Sequence, residues 1–290
     1  MGQTSFIVWR ESVEALLIVG ILFSWMKNGG ERTRYAVPYL WGGVALGILA
    51  AVLAGYMLVA FNDALDGNAQ TYFQIVIVLT AAALIVRMAF WMRKNGRTMK
   101  ADLLASLDHQ STRKTGWGVL FLAALAITRE GSECAVFLYG VGVGHAGSSS
   151  TFISAVVIGL ACAIATFMAL QLGGKLISWR RFFQVSELIL FFLAAGLLLT
   201  GLEKCIDLVL ENTDFMSGLP LVDVLTTRAW DTRWLLDDGT VVGGMVSTMT
   251  GYRSQPVYMS IAIYCTYWAA IAVAIRRGRQ APAAQMRSRG

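Results

Sequence analysis

Seven apolar runs, each long enough to cross a bilayer as a helix, account for most of this 290-residue chain. They are Ser5–Met26, Val37–Phe61, Thr71–Met92, Gly116–Tyr139, Thr151–Leu172, Phe182–Leu202 and Val257–Ile275. A crossing needs roughly 20 apolar residues at about 1.5 Å rise each. A transmembrane β-barrel would instead show alternating segments of about 10 residues. The predicted fold is therefore all-α and integral to a membrane, with backbone polar groups satisfied inside each span. Charged residues make up 14% of the chain, against about 25% in soluble domains. That leaves too little polar surface to coat a water-soluble globule of this size.

No basic stretch precedes the first run and no small-residue cleavage site follows it, so the first run reads as a retained helix. The formal net charge of +6 is explained by membrane orientation, and nucleic acid is not an expected partner. Lys27, Arg32 and Arg34 follow the first run, and Arg93, Lys94, Arg97, Lys100, Arg113 and Lys114 follow the third. Lys175, Arg180 and Arg181 follow the fifth, and Arg276, Arg277, Arg279, Arg287 and Arg289 follow the seventh. The alternate connections Asn62–Gln70 and Gly142–Ser150 contain no Lys or Arg. The positive-inside rule puts the basic connections in the cytoplasm. The N-terminus is then outside and the C-terminus inside, which an odd number of spans requires. Cys134, Cys162, Cys205 and Cys265 form no Cys-x-x-Cys pair and read as packing residues.

Landmarks recur along the chain. Arg10-Glu11-Ser12-Val13-Glu14 lies in the first run and Arg129-Glu130-Gly131-Ser132-Glu133 in the fourth. Phe73-Gln74-Ile75 opens the third run, and Phe183-Gln184-Val185 opens the sixth. The expected plan is one transmembrane domain over 1–290, with two inverted three-helix repeats, 1–92 and 116–202. An external loop, 203–255, a seventh helix, 256–275, and a cytoplasmic tail, 276–290, complete it. Inverted repeats are a common transporter plan, with the substrate site at their interface. The connection Glu203–Gln255 carries eight acidic residues against four basic ones. It reads either as a cation-concentrating entrance or as a solvated loop with a surface helix around Trp230 and Trp234.

The two charged motifs carry the chemistry. A charge at a helix centre costs about 2.5–3.5 kcal/mol on insertion scales, so these residues are expected to face the bundle interior. At about 100° per residue, Arg10, Glu11 and Glu14 share one helical face, as do Arg129, Glu130 and Glu133. Four carboxylates from two helices make a hard, oxygen-rich site suited to a hard cation, ferric iron included. Each arginine limits the cost of unpaired carboxylates when no metal is bound. Glu187, five positions into the sixth run, reads as a ligand, a proton carrier or an interfacial group, and is assigned a supporting place. His109 and His145 read as solvated, and Arg87 as a snorkelling residue.

Two intramembrane Arg-Glu-x-x-Glu motifs, in the first and fourth of seven helices, resemble the high-affinity iron permeases of fungi and their bacterial relatives. The resemblance covers the first six helices and extends over the whole chain. It implies that Glu11, Glu14, Glu130 and Glu133 take part in iron translocation, with Arg10 and Arg129 in support. It further implies a multi-pass protein of the inner or plasma membrane, with iron as transported substrate and no cofactor. A periplasmic or extracellular iron-handling protein, or an oxidase, is the implied partner. Some relatives are linked to lead uptake, and a proton-coupled carrier of another divalent metal is the main alternative. The additional acidic loop motifs of the fungal members have no clear equivalents here. A membrane di-iron oxidoreductase is the less favoured reading, because such bundles usually add Glu-x-x-His ligands and neither histidine here falls in that pattern.

Overall fold

The computed structural model describes residues 2–28, 35–95, 116–143, 149–172, 179–212 and 225–287. Eight helices are named among them: α1 Gly2–Asn28, α2 Val37–Asp63, α3 Asn68–Asn95, α4 Trp117–Val143, α5 Ser149–Leu172, α6 Trp179–Asn212, α7 Val241–Thr250 and α8 Tyr258–Arg287. The described residues contain no strand, only an isolated bridge between Arg228 and Val257. Five helices, α2, α3, α5, α6 and α8, are long and apolar enough to cross a membrane. Helices α1 and α4 are as long as α2, at 27 residues each. They miss that standard of apolarity because each carries one of the charged motifs.

The helices pack in related pairs. α1 lies against α5 as α4 lies against α2, while α1 touches α4 and α3 runs against α6. The main core joins Ile7 of α1 to Val78 and Ile85 of α3, Phe137 of α4, Leu193 of α6 and Tyr267 of α8. A second cluster binds Leu22 and Met26 of α1 to Leu40 of α2 and Ala123 of α4. The outward faces of α2 and α5 expose Leu49, Val52, Tyr56, Ile153 and Val157. Apolar lipid chains are the solvent for such faces.

Small residues set how closely α4 approaches α2. Gly43 faces the Leu120 carbonyl, and Gly47 faces the Ile127 side chain. A methyl group placed on Gly131 would stand 2.3 Å from Ala51 Cβ. Membrane helices commonly use such small-residue stripes to pack closely. Gly131 sits inside the second motif, so this contact fixes the depth and rotation of Glu130 and Glu133. We expect Gly131→Val to lower both the amount of folded protein in the membrane and its thermal stability, measured by fluorescence-detected gel filtration after heating. Unchanged stability would mean that α2 and α4 do not need this approach.

Two helices extend ten residues or more beyond the predicted spans. α6 runs to Asn212 instead of ending at Leu202, so Glu203, Lys204 and Asp207 lie on helix and not in a loop. At 34 residues it is about 51 Å long, well over the roughly 30 Å hydrocarbon thickness. α8 likewise continues to Arg287, through most of the segment expected as a tail. Polar contacts tie the following connection to the extension of α6. Arg253 donates to Glu203 at 2.9 Å, to Ser247 at 2.9 Å and to Thr200 at 3.1 Å, and Ser260 donates to Glu203 at 2.9 Å.

Among the described residues of this connection the named helix is α7, not a segment around the tryptophans. Trp230 lies in irregular backbone and Trp234 in a turn, both exposed. Thr240 caps α7 by accepting the Gly243 N–H at 3.1 Å, and Gly251 ends it with φ +76°. Hydrogen bonds from the Arg233 backbone and the Gln255 side chain hold the Asp231 carboxyl below its usual range. Burial pushes the Asp238 carboxyl up, but hydrogen bonds from Ser254 outweigh this and hold it low. Most of the basic connections that oriented the chain in sequence lie outside the described residues, as do His109 and His145.

Candidate functional site

The site is built where α1 meets α4. On α1, Val13 and Leu17 pack towards Ala163 of α5, and Ile7 packs into the main core. The remaining face carries Arg10, Glu11 and Glu14, all buried. On α4, Phe137 and Val141 enter the main core and Ala123 the second cluster. Glu130, buried, and Glu133, half-buried, point towards α1.

Three carboxylates converge. Glu11, Glu130 and Glu133 each offer an oxygen, and these atoms all lie within 4.8 Å of one another. Glu11 Oε2 and Glu130 Oε2 are buried without a protein hydrogen-bond partner. Buried polar atoms are nearly always hydrogen-bonded, so two orphaned oxygens in one cluster require an explanation. Like charges this close cannot all persist in a dry site without a cation or a proton among them. A bound cation would satisfy the orphaned oxygens and the charge together. The donors are all carboxylate oxygens, a set that favours hard cations.

The fourth carboxylate is held differently. Arg10 Nη1 donates to Glu11 Oε1 at 2.5 Å, and Arg10 Nη2 lies 2.6 Å from Glu14 Oε1. The latter contact lacks hydrogen-bond alignment and is an ion pair. Glu14 is paired with Arg10 and is not one of the three clustered carboxylates. One residue of the first motif and two of the second thus share a single cluster.

Residues 1–277 match the Iron permease FTR1 family. The chain belongs to that family. It is similar to "Ferrous iron permease EfeU" of Yersinia pestis, with 27% identity over 90% of this chain and 88% of the relative. It is also 28% identical to "High affinity iron permease 1" of Rhizopus delemar, over 91% of this chain and 77% of the relative. "Ferrous iron permease EfeU" of Escherichia coli O157:H7 matches at 26% identity, over 97% and 98%. No solved structure matches. Family membership makes the chain a permease and not an enzyme, in agreement with the resemblance carried by the two motifs.

Within this permease the motifs are unequal. Arg10 is 1% exposed, whereas the Arg129 side chain is 44% exposed. The expectation that every motif charge faces the interior is thus corrected for Arg129. It pairs with Glu133 at 3.1 Å and more distantly with Glu130 at 3.9 Å. Its guanidinium carbon lies 5.2 Å from the ring centre of Trp91, on α3. The neutral ring attracts the cation through its quadrupole, which allows the long side chain to sit at the edge of the bundle.

Glu187 is not one of the three clustered carboxylates. It is buried on α6 and lies 3.2 Å from Arg93, at the end of α3. Arg87 is exposed on α3. The four cysteines are all free, and none joins the trio. Sequence reasoning did not identify Met88 and Met92, whose sulfurs accept from Arg10 at 3.2 and 2.8 Å. Their spacing of four residues is the one signal that sequence offers, and methionines four apart on an apolar helix are ordinary core residues.

Proposed function

We propose that this permease imports iron across a cell membrane through seven spans, α1 to α6 and α8, with the N-terminus outside and the C-terminus inside. The observation that carries the reading is the buried trio Glu11, Glu130 and Glu133, joined from both motifs and holding two orphaned oxygens. Carboxylates at the α1–α4 contact replace part of the hydration shell of the ion as it crosses. Glu14 and the two arginines set the charge of the pathway. If all six motif groups are ionised, four carboxylates face two guanidiniums, a formal excess of two negative charges. That excess attracts a cation without leaving every carboxylate uncompensated.

The related pairings, α1 with α5 and α4 with α2, support two inverted repeats. In that plan α1 and α4 are equivalent helices, and the site lies at the repeat interface. The hard oxygen set favours ferric iron, although the bacterial relatives carry "ferrous" in their names. A periplasmic or extracellular iron-handling protein or oxidase delivers the ion in this scheme. Uptake of radioactive iron into proteoliposomes, supplied either as ferric citrate or with ascorbate as ferrous ion, tests cargo and oxidation state together. The expected result is uptake in the absence of any other protein, faster from the ferric source. Absence of uptake from both sources would refute iron transport by the chain alone. Orientation is tested in a cysteine-free background, where a cysteine replacing exposed Asp231 is expected to label from outside intact cells.

A further inference from the structure

The mechanism uses two arginines, but it leaves unexplained what holds them. Arg10 is fully enclosed, and a guanidinium has five N–H donors and no acceptor. In the structure each terminal nitrogen of Arg10 meets one carboxylate and one sulfur. Nη1 faces Glu11 and Met88, and Nη2 faces Glu14 and Met92. Trp91, between these methionines on α3, lies under the guanidinium of Arg129. Positions 88, 91 and 92 share one helical face. One turn of a helix that gives no carboxylate to the trio therefore contacts both motif arginines.

The chemistry of this face is uniform. Thioether sulfur is a weak, uncharged acceptor, and an indole ring attracts a cation without carrying charge. Either group orients a guanidinium without neutralising it. A carboxylate in the same place would compete with Glu11 and Glu14 for Arg10. An aliphatic side chain would leave the buried fork free to swing towards Glu130 and Glu133 and compete with the incoming cation. We propose that Met88, Trp91 and Met92 form a neutral cradle that positions Arg10 and Arg129, and so sets the affinity of the carboxylates for the transported cation. These are positioning residues, and the inference rests on the carboxylate pathway proposed above.

The test separates positioning from packing. Met→Leu preserves bulk and is usually well tolerated in cores, but removes the acceptor. Met→Gln keeps a neutral acceptor at similar length and burdens the packing. Radioactive iron uptake by intact cells, normalised to protein in the membrane, gives KM and the maximal rate. For the double variant Met88→Leu/Met92→Leu we expect KM to rise about tenfold with the maximal rate largely kept, as for loss of acceptors to a charged group. Met88→Gln/Met92→Gln is expected to lie nearer the unmodified KM. A packing role gives the reverse order, with leucine harmless and glutamine damaging, and that order overturns the proposal. An unchanged KM in the leucine variant overturns it as well.

The arm through Trp91 is independent of the buried methionines. Trp91→Leu should raise KM, and Trp91→Phe should restore most of the affinity; equal values for the two overturn the role assigned to the ring. Glu130→Gln, measured in parallel, keeps the two levels of inference apart. If it stops uptake while the methionine and tryptophan variants behave normally, the cradle alone is wrong. If it transports normally, the carboxylate pathway fails, whatever α3 does.

Discussion

Glu130→Gln is expected to reduce iron uptake to background while the protein remains inserted in the membrane. Glutamine keeps the size of the side chain and one carbonyl oxygen but removes the charge. Glu130 is buried, belongs to the trio and has an orphaned oxygen. A neutral amide there lowers the attraction that replaces the hydration of the ion, and also places N–H donors where the cluster offers only acceptors. Changes to groups that merely orient metal ligands typically cost 10–100-fold in affinity or activity, so loss of a ligand should exceed about 100-fold. Glu11→Gln and Glu133→Gln should behave in the same way. Glu14→Gln should be less severe, because Glu14 is paired with Arg10 and is not one of the three clustered carboxylates. Initial uptake rates of the four variants, normalised to membrane protein, give the order. Four equally active variants would make the cluster structural, and an order with Glu14→Gln as the most damaged would place the pathway on the other side of Arg10.

Which parts of this site could be read from sequence depends on the range of the interactions. The long apolar helices were legible because lipid demands contiguous apolar residues, a local property. The faces of α1 and α4 were legible because residues three and four apart lie together on any helix. The meeting of the motifs followed from the repeated landmarks. The placement of each arginine was not legible. Arg10 and Arg129 head the same Arg-Glu-x-x-Glu pattern, yet one is enclosed and the other half-exposed, because α3 presents Met88 and Met92 to the first and Trp91 to the second. The partners of Arg10 lie 78 and 82 residues away, and no periodicity encodes such a contact. The extension of α6 was hidden for a different reason. Glu203, Lys204 and Asp207 end the apolar run without ending the helix, because nothing about a charged residue forbids helical backbone once the chain leaves the hydrocarbon.

The same asymmetry yields the second large effect. Arg10→Lys should be far more damaging than Arg129→Lys, although sequence alone makes the two changes equivalent. Arg10 serves two carboxylates with two separate nitrogens of one planar fork. Lysine offers a single compact ammonium and cannot reproduce that geometry. Glu11 or Glu14 would then lose its counter-ion in a buried site, and breaking a buried pair typically costs about 3–5 kcal/mol. The expected outcome is loss of nearly all uptake, with a lower amount of folded protein in the membrane. At Arg129 the side chain is 44% exposed and its ion pair with Glu133 is partly screened, so only about 0–1 kcal/mol is at stake in that pair. Lysine retains both the charge and the attraction to the Trp91 face. Arg129→Lys should therefore keep at least about a fifth of the unmodified rate, the loss that about 1 kcal/mol would produce. Uptake and thermal stability measured side by side on the two variants decide the matter. Equal damage would show that solvent exposure does not distinguish the arginines and that both guanidiniums act on the ion in the same way.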